Sequence, residues 1–304
     1  MKKKVLGIGE IVLDTVHRVA SFPQEGEKIA SLEVEHALGG PIPAGLILLS
    51  RLGVECTLVA SVGTDEAGLL LKAILAHEGV HLLAENSTHT PIHTVLVNAE
   101  TGSRTIIKDR RASRNLAVIS REVVQSADVI LCDRHETNAT IQALHDKRPE
   151  TPVIMDPSVD CSSQTIQLLK KMNFPIVPIE TLSLLFPKKS IKEGGKKLSL
   201  LLNKTVVITM GKYGSAVCAN ETFIIHPSVS VKVVDTLGAG DIFRGGFTFG
   251  VLNGWNIHHC VEFANLVAAL QCTKLGNSTA IPTKAEIRIF QKSIINKQNL
   301  LSSL

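Results

Sequence analysis

Short, continuous apolar runs alternate along this chain with longer segments whose apolar residues recur every three to four positions. The runs KVLGIG (4–9), CTLVASVG (56–63), DVILCD (128–133), PVIMDP (152–157), FPIVP (174–178), TVVITMG (205–211) and the pair SAVCAN and TFIIHP predict strands. Helical spacing is found near 42–52, 65–79, 136–147, 163–172, 190–202, 240–253, 256–273 and 283–296, with breakers such as RLGVE and HEGVH at the ends. Strands without polar alternation, each followed by a helix, predict a mainly parallel sheet with helices on its faces. Two stretches depart from this rhythm: residues 10–36 and 88–110 hold strand-like pieces and no long helical pattern. They predict hairpins that leave the main sheet together as a small β lid. No linker or repeat interrupts the sequence, so 1–304 is expected to form one domain.

Composition narrows the function classes. With 304 residues, 44% of them hydrophobic, the chain can fill a large core. The formal charge of +4 is spread out, and one Trp and one Tyr give few stacking platforms, so nucleic acid is not an expected partner. Six cysteines, at 56, 132, 161, 218, 260 and 272, show neither disulfide nor zinc spacing and read as small apolar residues of a reduced, cytoplasmic protein. The opening MKKKVLGIGEIVLD has lysines followed by apolar residues, but Glu10 and Asp14 interrupt it. A first strand is expected there, and no membrane partner.

Residues 235–247, DTLGAGDIFRGGF, put small residues and two carboxylates at a sharp turn that opens an apolar helix. A glycine turn at a helix N-terminus leaves amides aligned with the positive end of the dipole, which suits an anion. GAGD alone serves equally well as an Asp-capped helix start.

The whole heptapeptide DTLGAGD resembles the signature of the ribokinase-like, or PfkB-type, carbohydrate kinases, and further matches follow in family order. GIGEIVLD with Asp14, then FPQEGE, is similar to the opening strand, sugar-contacting Asp and lid start. LGG at 38–40 is similar to the Gly-Gly substrate loop, and VGTDEAG at 62–68 to the G-x-D-x-x-G turn. VVITMGKYGS at 206–215 is similar to the nucleotide-site T-x-G-x-x-G, and FANLVAALQCTKLGNSTAIP at 263–282 to the helix and loop that close over adenine.

The resemblance implies a Rossmann-like three-layer α/β/α sandwich with a β lid. It also implies transfer of the γ-phosphoryl of ATP to a hydroxymethyl group of a small sugar. ATP and Mg²⁺ are the implied cofactors, a monovalent cation remains open, and the lid is an expected homodimer contact. Gly238, Ala239 and Gly240 would offer amides to the transferring group, and Asp241 would accept the proton of the attacking hydroxyl. Asp14, Gly39 and Gly40 would line the acceptor pocket. Arg104 would meet a negative substituent, close over the site, or simply be a solvated hairpin residue. Thr209, Gly211, Gly214, Asn265 and Ala268 would contact the nucleotide.

Three positions depart from the family pattern. The Asn five residues after the first Gly of the pair is Ala44; the N-x-x-E element after the later strand is absent from VPIETL, where only Glu180 is acidic; and no Arg follows Asp156–Pro157. The acceptor is therefore left open. A nucleoside kinase is the enzymatic alternative, although Phe22 is the sole aromatic in the lid segments. A non-catalytic metabolite binder with the kinase fold is the alternative of another class. HEGVH at 77–81 fits the zinc-protease expression, but Gly79 predicts a helix end between its histidines. The basic KDRRASR at 108–114 reads as a solvated loop.

Overall fold

The computed structural model describes residues 2–87, 89–109, 119–276, 278 and 280–302. In chain order the elements are β1 (Lys4–Ile8), β2 (Val12–Val19), β3 (Glu33–Gly39), α1 (Pro43–Arg51), β4 (Glu55–Gly63), α2 (Glu66–His77), β5 (Val80–Ser87), β6 (Ile92–Asn98), β7 (Arg104–Ile107), α3 (Arg121–Ser126), β8 (Val129–Cys132), α4 (Thr137–Asp146), β9 (Val153–Met155), α5 (Ser163–Lys171), β10 (Phe174–Pro178), α6 (Ile179–Leu185), α7 (Ile191–Leu202), β11 (Val206–Thr209), β12 (Ser215–Ala219), β13 (Thr222–His226), α8 (Ala239–Leu252), α9 (Ile257–Gln271) and α10 (Lys284–Ser302), with a 3-10 turn at Gly211–Tyr213.

Nine strands form the large sheet in the order β13-β12-β11-β10-β9-β8-β1-β4-β5. It is parallel from β5 to β11 and antiparallel where β12 and β13 finish it. Both faces are covered, as a parallel sheet requires. On one side Val5, Leu58 and Leu131 join α1, α2, α8 and α9; on the other Leu6, Ile8 and Ile130 join the layer of α3 to α7. The three-layer α/β/α sandwich and its predicted strands are thus present. Two short helices, α3 and α6, were not expected from the periodicity.

The lid is a four-stranded sheet, β3-β2-β6-β7, in which two antiparallel hairpins are joined by parallel pairing of β2 with β6. Asp14, Ala37 and His93 pair across it, as do Val16 and Val95, and this face is buried against the body. β3 runs to Gly39, past the expected end at 36, so the Gly-Gly pair is the end of a lid strand turning into α1. The first of the two lid stretches leaves the sheet directly: β2 follows β1 after only residues 9–11. Most of the basic stretch 108–114 lies outside the described residues.

Candidate active site

The loop before α8 is shaped by Asp235. Its carboxylate accepts from the Leu237 amide at 2.9 Å and from the Gly276 amide at 3.0 Å, which anchors the turn to the chain beyond α9. Gly238 then takes the left-handed conformation, φ +74°, that only glycine adopts cheaply, and α8 begins. The Ala239 amide is engaged in a long turn bond to the Thr236 carbonyl at 3.3 Å. Among the described residues no hydrogen bond engages the amides of Gly238, Gly240 or Asp241, so the free donors are these three rather than the expected 238–240. A methyl group built at Gly240 would meet nothing within 4 Å, so there is open space beside this residue.

Asp241 is in the first turn of α8, where its Oδ1 accepts from Arg244 one turn on. Arg244 is 4% exposed, and its other terminal nitrogen donates to Asp156, at the end of β9. It also reaches the Pro41 carbonyl at 3.0 Å. Burial pushes the Asp241 carboxyl up to about 6; Arg244 opposes the rise, Asp156 adds to it and Arg104 opposes it.

Asp14 approaches from the lid. Burial raises its pKa to about 7, with further upward pushes from Asp241 and Glu10 and a downward one from Lys108. His93 Nδ1 is 3.6 Å from its carboxylate. A side chain at Gly39 would strike that carboxylate, and one at Gly40, φ +101°, would run into the Glu10 carbonyl. Glu10 is fixed in turn: its amide donates at 2.8 Å to Asp133, whose other oxygen takes the His135 amide at 2.7 Å. Arg104, exposed on β7, extends from the lid to Thr236 Oγ1 at 3.3 Å, so it closes over the loop that precedes α8. Asp14, Gly39, Gly40, Arg104 and Asp241 are thereby gathered at one junction of lid, sheet and helix.

A second group lies at the end of β11. Thr209 closes that strand, and the following turn carries positive φ at Gly211 and Gly214. Gly214 is obligatory because a methyl group there would collide with the His226 carbonyl at the end of β13. Asn265 is brought beneath this turn, but its side chain is already used. Its Oδ1 accepts from Ser215 at 3.1 Å and its Nδ2 donates to the His226 carbonyl at 3.1 Å, so in this structure it braces α9 against β12 and β13. Ala268 lies one turn further along the same helix. In the G-x-D-x-x-G turn, Asp65 caps α2 through the Gly68 amide at 2.9 Å and accepts from the Thr90 amide at 2.8 Å, tying that helix to the base of the lid.

Ala44 is fully buried in α1, and Glu180 is an exposed residue of the first turn of α6. In HEGVH, His77 ends α2, Gly79 breaks the chain with φ +69° and His81 lies on β5, so the two histidines do not share a helix. Among the described residues no set of three or more His, Cys, Asp or Glu side chains could hold a metal ion. Arg244 and Asp235 were not singled out from sequence. The i,i+3 spacing of Asp241 and Arg244 is the signal in the sequence that could have shown their pairing.

Comparison with known proteins bears on the family and the fold. The model of the pfkB family carbohydrate kinases matches residues 2–284. A ribokinase of Bacillus subtilis is 26% identical over 295 residues, covering 94% of this chain and 98% of its own. Among solved structures, a ribokinase of Thermotoga maritima superposes with a TM-score of 0.82 at 22% identity, covering 95% of this chain and 99% of its own. An Arabidopsis thaliana ribokinase complexed with ribose and ATP does so with a TM-score of 0.80 at 22% identity, with the same coverage.

Proposed function

Because the chain belongs to the pfkB family of carbohydrate kinases, we propose that it transfers the γ-phosphoryl group of ATP to a hydroxymethyl group of a small carbohydrate. The observation that carries this reading is the set of amides at Gly238, Gly240 and Asp241 that find no acceptor among the described residues, with open space at Gly240. Their alignment with the α8 dipole fits a phosphoryl group in flight, and the absence of a Cβ at Gly240 lets it come close. Asp241 orients the acceptor hydroxyl and takes its proton, while Asp14 and the backbone at Gly39 and Gly40 hold the remaining hydroxyls.

The glycine turn at 211–214 fits the nucleotide: Gly211 has no neighbour within 4 Å of a built Cβ, so a flat ring or a phosphate can approach its backbone. Thr209, Gly211 and Gly214 line that place, with Ala268 behind it. A nucleotide bound there would supply the phosphoryl group, and Mg²⁺ held on its phosphates would screen their charge. Val34, Ile92 and Ile107 are exposed on the lid face turned away from the site, which supports pairing of two copies through their lids. Among the described residues no helix is long and apolar enough to cross a membrane, and a cytoplasmic location belongs to the same reading.

The test is ADP formation with a panel of ketoses, aldoses, sugar phosphates and nucleosides. Saturable, acceptor-dependent ADP release with a sugar is the expected result. Release with nucleosides alone would identify a nucleoside kinase, and saturable binding without turnover would identify a metabolite binder.

A further inference from the structure

Arg244 is placed where a helix-packing residue would ordinarily be apolar. It is buried, it contacts two carboxylates and a backbone carbonyl at once, and its Nε finds no hydrogen-bond acceptor among the described residues. A buried guanidinium with an unmet donor costs stability, so packing alone does not account for it. Its three partners come from three parts of the fold: Asp241 from the start of α8, Asp156 from the end of β9 and Pro41 from the turn after the Gly-Gly pair.

We infer that Arg244 is the positioning residue of this site: it keeps the Asp241 carboxylate ionised and ties its orientation to the loop that receives the acceptor. This rests on the reading of Asp241 as the base. The charges facing Asp241 explain why a clamp is needed. Asp156 lies beside it, Asp14 faces it from β2, and Asp133, at the end of β8, acts on Arg244 from the floor; Arg104 on β7 is the other cation acting on it. Without Arg244, a carboxylate desolvated among others holds its proton, and a protonated Asp241 cannot accept one from the attacking hydroxyl. The planar fork fixes direction as well as charge, because its two terminal nitrogens reach two carboxylates and the Pro41 carbonyl at once.

The experiment is a ¹³Cγ-aspartate NMR titration of wild type, Arg244→Gln and Arg244→Lys, with Asp241→Asn to assign the signal, run beside the pH dependence of kcat. In Arg244→Gln the Asp241 midpoint and the acidic limb of kcat are expected to move up together by about one to three pH units. Arg244→Lys keeps the charge, so it should restore the midpoint while kcat stays depressed, because the fork is lost. An unmoved Asp241 midpoint in a folded Arg244→Gln overturns the inference, as does a Lys variant as displaced as the Gln one. Should Arg244→Gln fail to fold, the Lys variant decides alone: a wild-type midpoint with lowered kcat supports the clamp, and wild-type kcat overturns it. Failure of the kinase reading looks different: the NMR midpoint moves as expected, but wild type releases no ADP with any acceptor or Asp241→Asn keeps its turnover.

Discussion

Gly45 of α1 and Gly245 of α8 meet at a helix crossing so tight that a methyl group at 245 would sit 2.8 Å from the Gly45 carbonyl oxygen and 2.9 Å from its Cα. Gly246 and Gly250 make the same kind of approach to α9, at Ala264 and Cys260. The small residues of GAGDIFRGGFTFG therefore have two places to act: those before Asp241 form the turn where the anion site is proposed, and those after it let α8 wedge between its neighbours. Gly245→Ala is expected to cost about 1–3 kcal/mol through overpacking, lowering Tm by several degrees, with Gly240→Ala, whose built Cβ meets nothing within 4 Å, as the reference that keeps its Tm. Differential scanning fluorimetry of the pair checks this.

Asp241→Asn should separate folding from turnover. Burial already disfavours the charged form of this side chain, so a neutral isostere is tolerated and Tm stays within a few degrees of wild type. Loss of the proton acceptor should lower kcat by about 10²–10⁴-fold, measured as ADP release under saturating substrates.

Gly240→Ala is the complementary probe. The added methyl meets no protein atom, so stability should be unchanged or slightly raised in a helical first turn. It does enter the space assigned to the phosphoryl group, and kcat should fall by about ten- to a hundredfold through misplacement. Wild-type turnover in a correctly folded Gly240→Ala would remove the anion site from 238–241.

pH dependence carries two signs. Asp14 and Asp241 have pKa values raised to about 7 and about 6, and because they act on each other the pair titrates in joint macroscopic steps. Activity, which needs the ionised base, should fall as pH drops through that range. Stability should go the other way. Both groups bind protons more tightly in the folded chain than at the ordinary value of 3.8, so their contribution is fully present below about pH 4 and is lost as pH rises through 6 to 7. Asp14→Asn should flatten part of that loss, read as a smaller fall in Tm between about pH 4.5 and about pH 7.5.

The sheet was legible because its strands are continuous apolar runs such as DVILCD and TVVITMG, and β4, β8, β9 and β10 are each followed directly by a helix. The lid was legible for the opposite reason, since its hairpins lack that rhythm. α6 was not: it follows β10 without a break, starts after Pro178 with no side-chain cap and spans only Ile179–Leu185. The motif glycines were legible as backbone positions, since Gly39, Gly40, Gly214 and Gly238 are all places where a side chain is excluded or the backbone is left-handed. Side-chain partnerships across the fold were not legible. Asp156 and Arg244 are 88 residues apart and meet only because β9 lies beside β8 near the middle of the sheet. Likewise, nothing local in FANLVAALQ shows that Asn265 is committed to Ser215 and His226.

Asp14 rides on the small sheet, whereas Asp241 is fixed to the helix layer, so on the proposed reading the acceptor would be gripped by two bodies joined by short connections such as residues 9–11. A phosphorylated product held between them escapes only when those bodies part. On the kinase reading, the ceiling on turnover is then set by how quickly the lid lifts and the Arg104–Thr236 bond lets go. Loosening that latch should speed departure even where the bond-making step is slowed.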